Sequence, residues 1–175
     1  MLCSANQCRS PMAAAFLGRH LAARGVSARV GSAGRGPAGA APPPRAVDAL
    51  AGHDLDLSGH RSASTSGSDL AAADLVVGMA REHVRDAIAI DPAVRPRAFT
   101  LKELVRLGEA SGPRRDDQTV EAWLGRLDAA RDPSSVLGAA KADDVTDPIG
   151  RSAQTYRRTS AELDDLTRRL AALLA

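Results

Sequence analysis

Aromatic residues are nearly missing from this chain of 175 residues, which has one Trp, one Tyr and two Phe. A slot that grips a flat ring between aromatic walls has little to be built from. Cysteine is as scarce, with Cys3 and Cys8 the whole complement. Two thiols in one short stretch exclude the disulfide framework of a small secreted domain. No apolar run approaches the ~18 residues of a membrane-spanning helix, and no signal peptide precedes Cys3, so a cytoplasmic location is expected. Charge of one sign is lacking too. The 23 Lys+Arg and 21 Asp+Glu leave a net +2, too little to point to nucleic acid or a membrane, yet compatible with an anionic substrate. GxxxxGKS/T does not occur, which argues against nucleoside triphosphates. His20, His53 and His83 have no mutual spacing that suggests a metal site, so no metal or other cofactor is expected. No internal repeat is visible.

What is present is ordinary globular composition, 44% hydrophobic and 25% charged. The length suits one domain over residues 1–175 with a buried core. The informative stretch is Cys3-Ser4-Ala5-Asn6-Gln7-Cys8-Arg9-Ser10-Pro11, which runs directly into the helix-prone Met12 to Leu17. Pro11 suits the first turn of a helix, which makes Ser10 the expected N-cap. Loop amides and the positive helix end would then point into one small volume, an anion cradle. Arg9 can fork two N–H donors onto two oxygens of a bound anion. A thiol among these groups falls in the class whose pKa drops to roughly 3.5–7.5, so Cys3 is expected to be a thiolate nucleophile. Taken singly, a cysteine and an arginine read as a buried apolar residue and a solvated charge.

These residues closely resemble the phosphate loop of low-molecular-weight protein tyrosine phosphatases, a family that includes protein-arginine phosphatases and arsenate reductases. The resemblance continues through Gly31-Ser32-Ala33-Gly34, Leu57-Ser58-Gly59-His60, Asp74 to Met79 and Asp147-Pro148. It implies that Cys3 is the nucleophile, that Arg9 binds the phosphoryl group, and that Asp147 is the general acid. Asp-Pro occurs also at Asp91 and Asp132; Asp147 is preferred because a helix carrying Tyr156 follows it, as in the family. The resemblance makes Ser4, Ala5, Asn6, Gln7, Cys8 and Ser10 the substrate-binding loop, with Ser32 and His60 supporting it. On their own Ser32 and His60 read as a strand-end hydroxyl and a surface histidine. Asn6 has an independent reason to stand there, since Asn tolerates positive φ in a tight turn. Ala5 replaces the family's usual glycine and is expected to crowd the loop slightly. Cys8 reads equally as a disulfide partner for an oxidised Cys3 and as a small buried residue.

Along the chain, helices are expected over Pro11 to Arg24, stopped by Gly25, over Arg45 to Leu50, over Arg81 to Ile90, and over Leu101 to Leu107. Ser68 or Asp69 is expected to cap another brief helix. Strands are expected at Ala28 to Ala33, Asp74 to Met79 and Arg97 to Thr100. Gly34 to Pro44 and His53 to Ser68 read as loop. Asp91 reads as a helix stop, and Asp143 and Asp144 as a solvated acidic loop. Residues 111–141 look like an insertion with a helix around Thr119 to Arg131. Arg151 to Ala175 reads as an amphipathic helix with Leu163, Leu166, Leu170 and Leu173 on its apolar face. Alternating strands and helices predict an α/β fold, a doubly wound parallel sheet of about four strands with helices on both faces. The phosphate loop follows its first strand. That strand looks truncated, because only Met1 and Leu2 precede Cys3; either the start is assigned too late or the sheet tolerates a stub.

The function expected is a cysteine-dependent protein phosphatase, monomeric, acting on a phosphorylated protein or small phosphomonoester. Phosphotyrosine is the default substrate and phosphoarginine the close rival, since Ile149-Gly150 and Gly34 to Pro44 stand where tyrosine-type members carry rings. An arsenate reductase would need an external thiol. A non-catalytic phosphate-binding module is the alternative from another class.

Overall fold

The computed structural model describes residues 1–132 and 141–175. Its sheet has four strands, β1 (Leu2–Cys3), β2 (Ala33–Gly34), β3 (Val76–Gly78) and β4 (Ala98–Thr100), in the order β2-β1-β3-β4 and all parallel. The chain leaves β1 to one side for β2 and to the other for β3. That reversal opens a crevice at the carboxyl end of β1, the place where ligands bind in open α/β sheets.

Among the described residues seven α-helices connect and cover these strands: α1 (Arg9–Ala22), α2 (Pro44–Ala51), α3 (Gly67–Ala71), α4 (Arg81–Ile90), α5 (Leu101–Ser111), α6 (Val120–Ala129) and α7 (Ala153–Leu174). One face of the sheet packs on the larger core, built from Met12, Phe16 and Leu17 of α1, Leu104 of α5, Trp123 of α6 and the apolar stripe of α7. The other face packs on Val84 and Ala87 of α4 with Leu2, Leu70, Val76, Val94 and Ala98. Leu163, Leu166, Leu170 and Leu173 are all buried, each contributing about 1.5–3 kcal/mol before chain entropy is counted. Among the described residues no helix is long and apolar enough to cross a membrane.

The strands are shorter than the sequence suggests. β2 is Ala33–Gly34 rather than Ala28 to Ala33, because a parallel ladder extends only where the neighbour offers residues, and β1 offers Leu2 and Cys3. β1 is nonetheless bonded on both sides, with Ala33 N–H donating to the Met1 carbonyl at 3.0 Å and Met79 N–H to the Leu2 carbonyl at 2.8 Å. β3 is Val76–Gly78, and Leu75 packs only partly buried against the larger core.

Helix boundaries hold more closely. α4 spans Arg81–Ile90 as expected, with Asp91 at its C-cap and capping the following 3-10 turn Pro92–Arg97. α5 runs on to Ser111, started by a capping box between Thr100 and Glu103. The brief helix α3 is capped by Ser66 rather than by Ser68 or Asp69. Gly25, at φ 72°, lets the chain turn away after α1. Within 111–141, α6 buries Trp123, Leu124 and Leu127, and the Trp123 indole N–H donates to the Gly112 carbonyl at 3.1 Å. Residues 133–140 of that segment lie outside the described residues.

Candidate active site

β1 ends on Cys3 and α1 begins at Arg9, so residues 4–8 turn the chain over the crevice. Asn6 is the pivot of that turn, at φ 52° and fully buried. Each polar atom of its side chain is used. Its amide nitrogen donates to Ser10 Oγ and to Ser32 Oγ, both at 2.9 Å, and its Oδ1 accepts the Ala63 N–H at 2.8 Å. Its carbonyl accepts from His60 Nε2 at 2.7 Å. A buried polar group without partners costs about 1–3 kcal/mol, so this network holds a left-handed Asn in one geometry. Ala5 keeps out of the left-handed region. Gly34 backs the turn: a Cβ there would lie 2.7 Å from the Cys3 carbonyl oxygen and 2.8 Å from both the Asn6 nitrogen and the Ser4 oxygen.

Ser10 is not the N-cap. The helix begins earlier, Cys8 is the cap residue, and Met12 N–H makes an i→i−4 bond to the Cys8 carbonyl at 3.1 Å. Pro11 is still comfortable, since amides in the first turn have no intrahelical partner to lose. Relieved of capping, the Ser10 hydroxyl lies 3.0 Å from Cys3 Sγ and can donate to it, while accepting from Asn6. Cys8 is 1% exposed. Burial, and after it the charges of Asp147 and Cys3, push its thiol up to about 12, which leaves it a neutral, weakly reactive side chain at neutral pH. Both cysteines are free thiols.

Arg9 is buried and spans the crevice. Its Nη1 donates to the Val145 carbonyl at 3.2 Å, and its Nη2 to Asp147 Oδ2 at 2.5 Å and to Ser4 Oγ at 3.4 Å. Asp147 keeps 42% of its side chain exposed, as a group that must meet substrate would. Its Oδ1 accepts the Ile149 N–H at 3.1 Å. Upstream, Val145 N–H bonds the Met79 carbonyl at 2.8 Å, tying this segment to the end of β3. Asp143 and Asp144 are not a solvated loop. Asp144 accepts the Arg81 N–H and Asp143 pairs with the Arg81 guanidinium, each at 2.8 Å.

Two neighbours of this site are not visible in local sequence. His83, 2% exposed, places Nε2 3.0 Å from Ser4 Oγ. Burial first, then Arg9 and Arg35, lower its pKa to about 3, so it stays neutral. Arg81 is the other. Both stand in the first turn of α4, some eighty positions from the loop, and no spacing rule joins them to it. Among the described residues no group of three His, Cys, Asp or Glu is arranged to hold a metal. All four aromatic rings, Phe16, Phe99, Trp123 and Tyr156, are core residues at most 3% exposed. Beside Asp147 the mouth of the site shows Ile149, 42% exposed.

The family profile described as low molecular weight phosphotyrosine protein phosphatase matches residues 1–112. A probable low molecular weight protein-tyrosine-phosphatase EpsP of Ralstonia nicotianae is 33% identical over 141 residues, 74% of this chain and 94% of its own length. A protein-arginine-phosphatase of Bacillus subtilis is 30% identical over 172 residues, 97% of this chain and 91% of its own. Among solved structures, a low molecular weight protein tyrosine phosphatase from T. tengcongensis superposes with a TM-score of 0.74 at 30% identity, covering 99% of this chain and 96% of that one. Sequence and fold agree over most of the molecule, and the chain belongs to the low molecular weight phosphotyrosine protein phosphatase family.

Proposed function

We propose that this chain hydrolyses phosphomonoesters on phosphorylated proteins through a phosphocysteine on Cys3, as a monomer and without metal. The observation that carries this reading is the convergence on Arg9. Its guanidinium contacts Asp147 and Ser4, and Ser10, next to it, holds Cys3 Sγ. In the first step the Cys3 thiolate attacks phosphorus and the bond to the leaving oxygen breaks. The Asp147 carboxyl supplies that oxygen with a proton. Loop amides and Arg9 stabilise the charge on the equatorial oxygens. In the second step Asp147, now a carboxylate, takes a proton from water as the water oxygen attacks phosphorus. The P–S bond breaks, and thiolate and inorganic phosphate are released. Ser10, donating to Sγ, favours the thiolate as leaving group.

Phosphotyrosine is the substrate class the family resemblance supports first. Phosphoarginine is favoured by a separate observation: every aromatic ring is in the core, and the aliphatic Ile149 stands at the mouth. A flexible guanidino substrate needs no ring-clamping wall; there the bond that Cys3 breaks is P–N, and the proton from Asp147 goes to the leaving guanidino nitrogen. An arsenate reductase is the weaker reading, since the second thiol, Cys8, is buried and held protonated.

The test is hydrolysis of p-nitrophenyl phosphate, expected in the wild type and lost in Cys3→Ser. Equal phosphate binding by both proteins with turnover by neither would instead make this a binding module. Phosphotyrosine and phosphoarginine peptides assayed side by side assign the substrate.

A further inference from the structure

The segment that delivers Asp147 is also held from the interior. Arg81, 3% exposed, opens α4 with three bonds in three directions. Its backbone N–H donates to Asp144 Oδ1 and its Nη2 to Asp143 Oδ2, both at 2.8 Å, while its Nη1 donates to Glu103 Oε2 at 2.9 Å. Glu103, 1% exposed, is fixed in turn by the Thr100 capping box. Opposite its other oxygen stands Arg131, just beyond α6, with Nε 3.7 Å from Oε1. The Arg131 guanidinium lies 3.8 Å from the centre of the Phe99 ring and donates to the Ala98 carbonyl at 3.0 Å. A line of alternating charge, Arg131, Glu103, Arg81, Asp143, therefore runs from the end of α6 to a point four residues before Asp147.

Desolvating such charges costs several kcal/mol each, and apolar packing of the same volume is often at least as stabilising. The geometry makes sense for placement rather than stability. Residues 143–145 are pinned by Arg81 on one side and by the Met79 carbonyl on the other, and the Val145 carbonyl then meets Arg9. We propose that Arg81, acting through Asp143 and Asp144, is a positioning residue for the Asp147 general acid. The inference rests on the reading of Asp147 as the acid.

Its test uses two aryl phosphates that differ in their need for that acid. Dinitrophenolate departs without a proton, whereas phenolate does not. Comparing kcat/KM confines the measurement to the steps up to phosphocysteine formation, so its later hydrolysis does not intrude. For Asp147→Asn the ratio of phenyl to 2,4-dinitrophenyl phosphate activity should fall about 100-fold or more, the scale of general acid catalysis. Asp143→Ala, Asp144→Ala and Arg81→Met should lower the same ratio about tenfold or more, with the dinitrophenyl rate little changed, a partial loss of that same contribution. Asp143→Glu should restore part of the loss. If Arg81→Met fails to fold, the two aspartate variants decide, because their side chains lie at the outer end of the network. Equal falls on both substrates, or none, for those variants overturn the positioning role. When Asp147→Asn shifts the ratio and they do not, only this inference fails; when Asp147→Asn leaves it unchanged, the acid assignment fails and this inference with it.

Discussion

At the scale of single residues, the site depends on side chains whose partners are remote in sequence. Asn6 was legible because its residue type suits a left-handed turn. His83 was not, since a histidine in the first turn of a helix carries no mark of the serine it will meet across the sheet. Its environment makes a prediction about pH. Folded, His83 takes a proton only near pH 3; unfolded, near the ordinary value of 6.5. Between those values the unfolded state binds more protons, so stability is complete above about 6.5 and is lost as pH falls through the window. The loss from this group is on the order of a few kcal/mol. Urea midpoints measured at about pH 7 and about pH 4.5 should therefore diverge in the wild type and converge in His83→Gln; an unchanged pH slope in the variant would remove His83 as the cause.

At the scale of elements, the helices were more legible than the strands, for a physical reason. A helix closes its own hydrogen bonds, so caps and periodicity mark its ends: α4 and α7 lie within two residues of expectation. A parallel strand borrows its length from its neighbours, and the strands expected at Ala28 to Ala33 and Asp74 to Met79 overstate what β1 and β4 can pair. The helix start at Arg9 was missed because Ser10-Pro11 looks like a capping pair, whereas the serine is taken by sulfur. β2 then acquires a purpose beyond pairing, since Gly34 is the floor on which the loop lies. Gly34→Ala places a methyl within 3.0 Å of three backbone atoms that cannot swing aside. Displacing the loop by even ~1 Å should lower kcat/KM about 100-fold. Steady-state kinetics beside a thermal melt check this; a variant with near wild-type kcat/KM would show that the loop can yield.

At the scale of the whole molecule, the alternation of strand and helix was enough to predict a doubly wound sheet with its ligand at the carboxyl ends of the strands; that the loop lies where the strand order reverses came from the topology. It was not enough to reveal how the last third of the chain meets that loop, because the contacts run through arginines and carboxylates that read as surface charge. The pairing of Arg81 with Asp143 and of Arg131 with Glu103 becomes visible only when four separate elements are assembled.

The lone tryptophan carries a practical consequence. Trp123 is buried with its indole N–H bonded to Gly112, and its ring and Leu173, near the C-terminal end of α7, both meet Gly108, whereas the residue of α7 that feels Cys8 and Asp147 is Tyr156, near the opposite end. Emission from this protein should accordingly be blue-shifted when native and move red on unfolding, yet stay nearly constant while orthovanadate titrates the crevice. A quenching that saturates with orthovanadate would mean the optical probe and the phosphoryl pocket communicate. Native emission thus reports on the helical flank, and occupancy of the pocket has to be followed by other means.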